Sequence, residues 1–360
     1  MNFDFNDEQR AIKEAAREML AKRYSTEEIR RLALEDDRGF TDQQWGELAE
    51  LGWPGIFVSE DDGGLGLGIV ELVILQEELG YALAPTPFFS NACAGLLLAA
   101  AGTVELRERW LRRLAAGEAR GTLALWDEDQ GHSPTASTLE PTGSSLTGTK
   151  IAVPDAGAAD FLVVAGAEGR HFLVDASGDG VRIEPAASLD PTRKLFTVHL
   201  DGAEAHQLEV NAGAIDRAYW AIAAALAAES TGVAQRALDM AVEYAKDRKQ
   251  FERPIGAYQA VSHRCAQMLL EVEGARSVSY YAAWALDNEP ESAGLAASMA
   301  KAYASDAGWR VTASALQVHG GIGFTWEHDL HFFLKRARAN AAAFGDSRWH
   351  RERVAELAGV

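Results

Sequence analysis

A chain of 360 residues, 48% hydrophobic and 24% charged, is long enough for two or three domains and has the balance of a soluble globular protein. Its formal charge of −19 and pI near 4.9 exclude general affinity for nucleic acid or an anionic membrane, which needs a positive face. One local basic cluster does occur near the C-terminus, at Arg336, Arg338, Arg348, Arg351 and Arg353. The two cysteines, Cys93 and Cys265, each lie in an apolar helical pattern and are expected to be buried free thiols, not a disulfide framework or a metal site. The opening MNFDFNDEQR lacks the apolar core of a secretory signal, and the longest apolar run, Ala92 to Gly102, is too short to span a bilayer. A cytoplasmic protein is expected.

Residues 1–118 read as a helical domain. Asn6 with Gln9, Ser25 with Glu28 and Thr41 with Gln44 each place a capping oxygen three residues before Glu or Gln, the spacing that satisfies the free amides of a helix start. After Leu51 the stretch LGWPGIFVSEDDGGLGLG forbids a continuous helix by its proline and glycines and demands a folded loop. Helical periodicity returns at Ile69 and again from Ala92.

Residues 119–210 change character. Thr122–Leu125, Ser145–Thr147, Phe161–Val164, His171–Val174, Val181–Ile183 and Phe196–Leu200 are short, apolar or β-branched, and separated by Gly, Pro, Asp and Ser. They predict a small antiparallel β domain, with polar connections such as GHSPTASTLEPTGSS facing solvent. Residues 211–360 then read as a four-helix bundle, with helices over about Asp216–Asp247, Ala257–Leu286, Ser292–Val318 and Asp329–Ala343. The fold class expected is α+β: an N-terminal helical domain, a β domain and a C-terminal helical bundle.

Between the first two of those four helices, AKDRKQFERPIGAYQAVSHRCAQM ends one helix in charge, turns at Pro254 and Gly256, and starts another. Such a junction can hold an anionic group. Together with LAELGWPGIFVSEDDGGLGLG (Leu48–Gly68), EELGYALAPTPF (Glu77–Phe88), STGVAQRALDMAVEYAKDRKQF (Ser230–Phe251), PIGAYQAVSHRCAQM (Pro254–Met268) and QVHGGIGFTWEHDL (Gln317–Leu330), it resembles the acyl-CoA dehydrogenase family along essentially the whole chain. The resemblance implies FAD bound between subunits. Carried over by position, Arg248, Gln250, Phe251, Tyr258 and Gln259 would contact the dinucleotide of one subunit's FAD, and Gln317, Val318, Gly320 and Gly321 would come from the neighbouring subunit. The physical chemistry agrees: a guanidinium offers a donor fork to pyrophosphate, and paired glycines let backbone amides approach it. The bland alternative makes Arg248 a helix-end charge and Gly320–Gly321 a helix stop. Glu252 stands where the family has glycine, and its carboxylate would repel a pyrophosphate unless Arg253 or Arg248 neutralises it.

The β domain matches less well. LALWDEDQGHS and KIAVPDAGAADFLVV replace the family's flavin-lining segments; Trp126 and Pro154 fall near the expected ring, without the usual hydroxyl donors. Desaturating an acyl thioester needs a carboxylate to take the α-proton while flavin takes hydride from the β-carbon. The family's two positions for that base are Gly345 and Ile222 here, with Ala223 following where the family has a substrate-side Arg. Asp346 and Glu229 remain as weak substitutes. Glu327, His328 and His331 have metal-like spacing, but no further ligand accompanies them and no metal is expected. The expectation is therefore a base-lacking subunit of an α2β2 acyl-CoA dehydrogenase, acting on an acyl-CoA thioester with electron-transfer flavoprotein or another acceptor, and with a homologous chain as partner. Two alternatives stay open: a homo-oligomeric dehydrogenase using Asp346 or Glu229, and a same-fold flavin oxidase or monooxygenase.

Overall fold

Two of the capping oxygens do what their spacing predicts. In the computed structural model, which describes residues 5–128 and 137–359, Asn6 and Thr41 both form complete capping boxes, with Gln9 and Gln44. Ser25 Oγ accepts from the Glu28 amide at 3.2 Å. The helices so started are α1 (Asp7–Arg23), α2 (Thr26–Glu35) and α3 (Asp42–Glu50). The proline- and glycine-rich stretch folds back on itself through short 3-10 turns, and α4 (Ile69–Ala82) and α5 (Phe88–Ala101) follow. Next come α6 (Val104–Leu106), a π turn over Arg107–Leu111 and α7 (Arg112–Ala115).

The strands are β1 (Gly121–Ala124), β2 (Trp126–Asp127), β3 (Pro141–Thr142), β4 (Ser145–Pro154), β5 (Phe161–Ala165), β6 (His171–Asp175), β7 (Val181–Ala186), β8 (Leu195–Glu204) and β9 (His206–Gln207). They form two sheets, ordered β1-β5-β6-β9 and β2-β4-β8-β7, with β3 on β4. Most of β8 alternates buried and half-buried residues, the period of a strand with one face inward, whereas β5 is buried throughout. Leu146, Val153, Leu162, Val164, Phe172 and Val198 are among the residues that close the core. One pairing departs from the antiparallel expectation: β1 runs parallel to β5, Gly121 opposite Phe161. A parallel pair needs a long crossover that no local turn signal announces. The segment GHSPTASTLEPTGSS lies partly outside the described residues.

The C-terminal region holds α8 (Ala212–Asp247), the short strands β10 (Lys249–Gln250) and β11 (Arg253–Pro254), α9 (Gln259–Asn288), α10 (Pro290–His319), α11 (Leu330–Ala342) and α12 (Ser347–Ala358). This corrects the four-helix expectation by one helix, α12, whose start follows the Gly345–Asp346 pair. Two compact units result: residues 1–29, 72–84 and 223–360, and residues 30–71 and 85–222. In the first, α4 and α8 meet backbone to backbone. A Cβ added at Gly232 would lie 1.9 Å from the Glu77 carbonyl oxygen, and one at Gly80 would lie 2.2 Å from that of Glu229. Beside that contact Glu77 and Glu78 are buried with their counter-charges. Lys13 and Arg276 sit 3.1 Å from Glu77, and Arg17 bonds both oxygens of Glu78. Burial alone would raise the Glu77 carboxyl; Lys13, Arg276 and the Tyr280 hydroxyl outweigh it and leave the pKa below its ordinary value. Among the described residues no helix is long and apolar enough to cross a membrane.

Candidate functional site

The α8–α9 junction is built around a two-residue turn. β10 and β11 pair antiparallel, and Phe251 and Glu252 between them both have left-handed backbone, at φ 52° and 66°. A turn with φ above zero at both centres matches hairpin twist but favours Gly or Asn, so Glu252 occupies a place suited to glycine. Tyr258 fixes the hairpin from below: its hydroxyl donates to the Gln250 carbonyl at 3.2 Å, and the Arg253 guanidinium stands 4.0 Å over its ring. Arg253 is thus on the tyrosine and not on Glu252. Arg248 is exposed, and neither it nor Glu252 makes an ion pair among the described residues, so the neutralisation considered above is absent. Phe251 is 87% exposed, and the Gln250 amide nitrogen turns back to the Lys249 carbonyl. Gln259 is the first residue of a 30-residue helix that has no side-chain cap, so its opening amides are free to meet an anion.

The second segment ends α10. Gln317 is exposed, whereas Val318 beside it is buried. The buried His319 donates from Nδ1 to the Ala315 carbonyl at 2.8 Å, and burial holds its pKa below the ordinary value. Gly320 has φ 64° and ψ −140°, a conformation left to glycine, and a Cβ at Gly320 or Gly321 would meet nothing. Backbone here faces open space that a phosphate can approach. The rings of His319 and Tyr244 stack at 4.5 Å and 21°, which sets the end of α10 against the last turns of α8. The α8–α9 junction and the end of α10 are thus linked within the chain through this ring pair. Their separation of some seventy positions hides this, because only the packing of α8 with α10 brings them together.

The positions of the expected base are closed. Gly345 has φ 90°, and a Cβ there would lie 2.7 Å from the Trp349 ring and 3.1 Å from His350 Nε2. Its carbonyl accepts from the fully buried Lys301 Nζ at 2.9 Å, and Phe344 just before it is held by His350 Nε2 donating to its carbonyl, also at 2.9 Å. Burial pulls the Lys301 pKa down to about 7, against the attraction of Asp346 and Asp306. Burial, with the Lys301 charge, takes His350 down to about 4. Asp346 is the N-cap of α12, accepting from the Trp349 amide at 2.8 Å. Glu229 is buried against Arg336 at 2.6 Å, both side chains 2% exposed. Ile222 is fully buried. Asp346 and Glu229 thus both carry structural bonds, and the structure brings neither to the junction described above.

Several sites behave differently from the sequence reading. Cys93 is buried, but Cys265 is only half-buried. His331 packs against Trp326 and Phe332, and no group of metal-binding side chains occurs among the described residues. Trp126 lies on β2 opposite Ile151, and the Pro154 carbonyl accepts from Thr122 Oγ1 at 2.6 Å. Lys150 was not singled out, yet it is fully buried and bonded to Asp127, to Ser137 Oγ at 2.9 Å and to the Leu125 carbonyl. A lysine inside the alternating pattern of β4 was the available signal.

Open backbone at Gly320 and Gly321 and an exposed Arg248 without an ion pair among the described residues are features suited to a phosphate-bearing ligand. Two family descriptions match: the acyl-CoA dehydrogenase N-terminal domain over residues 6–118 and the acyl-CoA dehydrogenase C-terminal domain over residues 222–358. The chain belongs to the acyl-CoA dehydrogenase family of FAD-dependent oxidoreductases. It is 32% identical to the acyl-CoA dehydrogenase IpdE2 of Mycolicibacterium smegmatis over 95% of this chain and 96% of the relative. Among solved structures it matches a variant of the Tcur3481-Tcur3483 steroid ACAD at TM-score 0.89 and 30% identity, covering 98% of each chain. It also matches the ChsE4-ChsE5 complex from Mycobacterium tuberculosis at TM-score 0.90 and 27% identity, covering 100% of this chain and 99% of that one.

Proposed function

We propose that this chain is the FAD-binding, base-lacking subunit of an α2β2 acyl-CoA dehydrogenase, paired with a homologous chain that carries the catalytic carboxylate. The observation that carries the reading is the corner at Gly345. A glutamate placed there would need a Cβ where Trp349 stands and a backbone conformation that L side chains rarely adopt. The second base position is the buried Ile222, and the substitutes Asp346 and Glu229 are held by a helix cap and an arginine.

The residues present fit the dinucleotide. Arg248 supplies an unpaired guanidinium, Gln259 opens an uncapped helix, and Gly320 and Gly321 leave room for close approach. Arg248 and Gln259 meet the dinucleotide of one subunit's FAD, and the Gly320–Gly321 segment comes from the neighbouring subunit. Gln250, Phe251 and Tyr258 shape the hairpin wall, Gln317 contributes its side chain, and Val318 contributes backbone. Glu252 opposes the phosphate charge and sets the affinity lower than a glycine would. When bound, FAD supplies the hydride acceptor for α,β-desaturation, whose electrons pass to electron-transfer flavoprotein or an equivalent acceptor. The likeness to a steroid ACAD supports a ring-bearing acyl-CoA as the substrate class.

The test is expression with and without a base-bearing homologue. Alone, the chain is expected to give no acyl-CoA-dependent dye reduction; co-expressed, it should co-purify as a yellow heterotetramer that is active. An active homotetramer from the chain alone would overturn the reading.

A further inference from the structure

A second concave site lies in the first unit, away from the dinucleotide segments and from Gly345. It is a cavity of about 410 Å³ bounded by α1, the start of α2, the end of α4, the middle of α8 and the start of α11. That volume suits a small organic molecule. One wall is apolar, formed by Leu20, Ile29, Leu83, Met240, Phe332 and Phe333. Four of these six are at most 5% exposed, so this wall is a buried apolar surface.

The opposite wall is an arginine–tyrosine stack. The Arg17 guanidinium stands 3.6 Å from the centre of the Tyr81 ring, and that of Arg236 stands 5.6 Å from it. Tyr81 is fixed in place, its hydroxyl donating to Asp239 Oδ2 at 2.9 Å. The two arginines are not equivalent. Arg17 is committed to Glu78, with one bond at 3.0 Å and a second shorter one. Asp329, the other acid on the lining, has a partner of its own. Arg236 is half-buried, lies near Tyr81, and makes no ion pair among the described residues. A half-buried guanidinium with donors to spare, facing an apolar wall, is complementary to a planar anion on a hydrocarbon body.

We propose that this cavity binds a monocarboxylate with an apolar tail, its carboxylate on Arg236 and its tail against Phe332, Phe333 and Met240. Inorganic phosphate would satisfy the cation and leave the apolar wall wet; an alkylammonium would fill the wall and oppose the cation. The site is independent of the role assigned to the chain in desaturation, since none of the residues assigned to the dinucleotide lines it.

Titration of the purified full chain, with its partner if it requires one, with octanoate by calorimetry tests this. One site per chain is expected. Arg236→Gln should weaken octanoate by about tenfold or more, the value of losing one charge-assisted contact. Met240→Trp, which fills the cavity from the apolar side, should abolish binding while keeping the native circular dichroism spectrum. Octylammonium and inorganic phosphate should not compete. Equal octanoate affinity in wild type, Arg236→Gln and Met240→Trp would overturn the proposal. So would no binding to wild type at about 10 mM octanoate, beyond any useful affinity.

Discussion

Single side chains account for the most specific chemistry in this protein. Lys301 is buried with its amine on the Gly345 carbonyl, and its pKa falls to about 7 in the fold from 10.5. Between those values the unfolded chain binds the extra proton, so this lysine's contribution makes the fold more stable as pH rises from about 7 to 10 and costs stability below. Thermal melts across that window should show the rise, and Lys301→Met should flatten it. His350, depressed to about 4 from 6.5, works in the same direction lower down. Its neutral form supports the fold above pH 6.5, and that support is lost as pH falls through 4, about 3 kcal/mol at the limit. His350→Gln should reduce the acid sensitivity of unfolding over that range. Glu229→Gln removes the carboxylate paired with the buried Arg336 and should cost about 3–5 kcal/mol in urea denaturation, independently of any effect on turnover. Asp346, a candidate base by sequence, is also the cap of α12: a Gly-Asp pair after a helical run is a stop and a start, and its carboxylate accepts from the Trp349 amide.

At the scale of elements, the legible features are those whose cause is local. Asn6 and Thr41 announce α1 and α3 because a capping oxygen and its Gln are three residues apart and need nothing else. The pairing of β1 with β5 and the stacking of Tyr244 on His319 depend on contacts between residues distant in the chain, which no local spacing encodes. The contact of α4 with α8 is also non-local, yet it rests on two glycines. Gly232→Ala, with its new Cβ 1.9 Å from the Glu77 oxygen, forces the helices apart and is expected to lower the urea midpoint by about 3 kcal/mol equivalent. Within the hairpin the sign reverses. Glu252→Gly relieves a left-handed backbone and removes a carboxylate from the proposed phosphate site. It should stabilise the chain by about 1 kcal/mol and tighten FAD, as read by flavin fluorescence during dialysis.

For the molecule as a whole, the overall α+β organisation was readable because alanine-rich helical periodicity gives way abruptly to short β-branched runs and then returns. The surroundings of the expected base position were less so. Family resemblance marks Gly345 and Ile222 as places where an acid is missing, but absence of a side chain says nothing about whether room for it remains. Coordinates add that Gly345 stands in a corner occupied by Trp349 and His350, and that its carbonyl is tied to Lys301. If the chain works only in company, its oligomer should fail to assemble from this chain alone, and mixing with a base-bearing homologue should restore both mass and turnover in the same titration.

That corner also bears on reversibility. Where an acid has been lost but its space kept, one codon change recovers it; here Gly345→Glu meets the indole of Trp349, a positive φ and a carbonyl already committed to an ammonium. Recovery therefore needs coordinated changes at Trp349, at the backbone of the turn and at Lys301. Under the proposed function, dependence on a partner, once the corner is closed in this way, behaves as a ratchet.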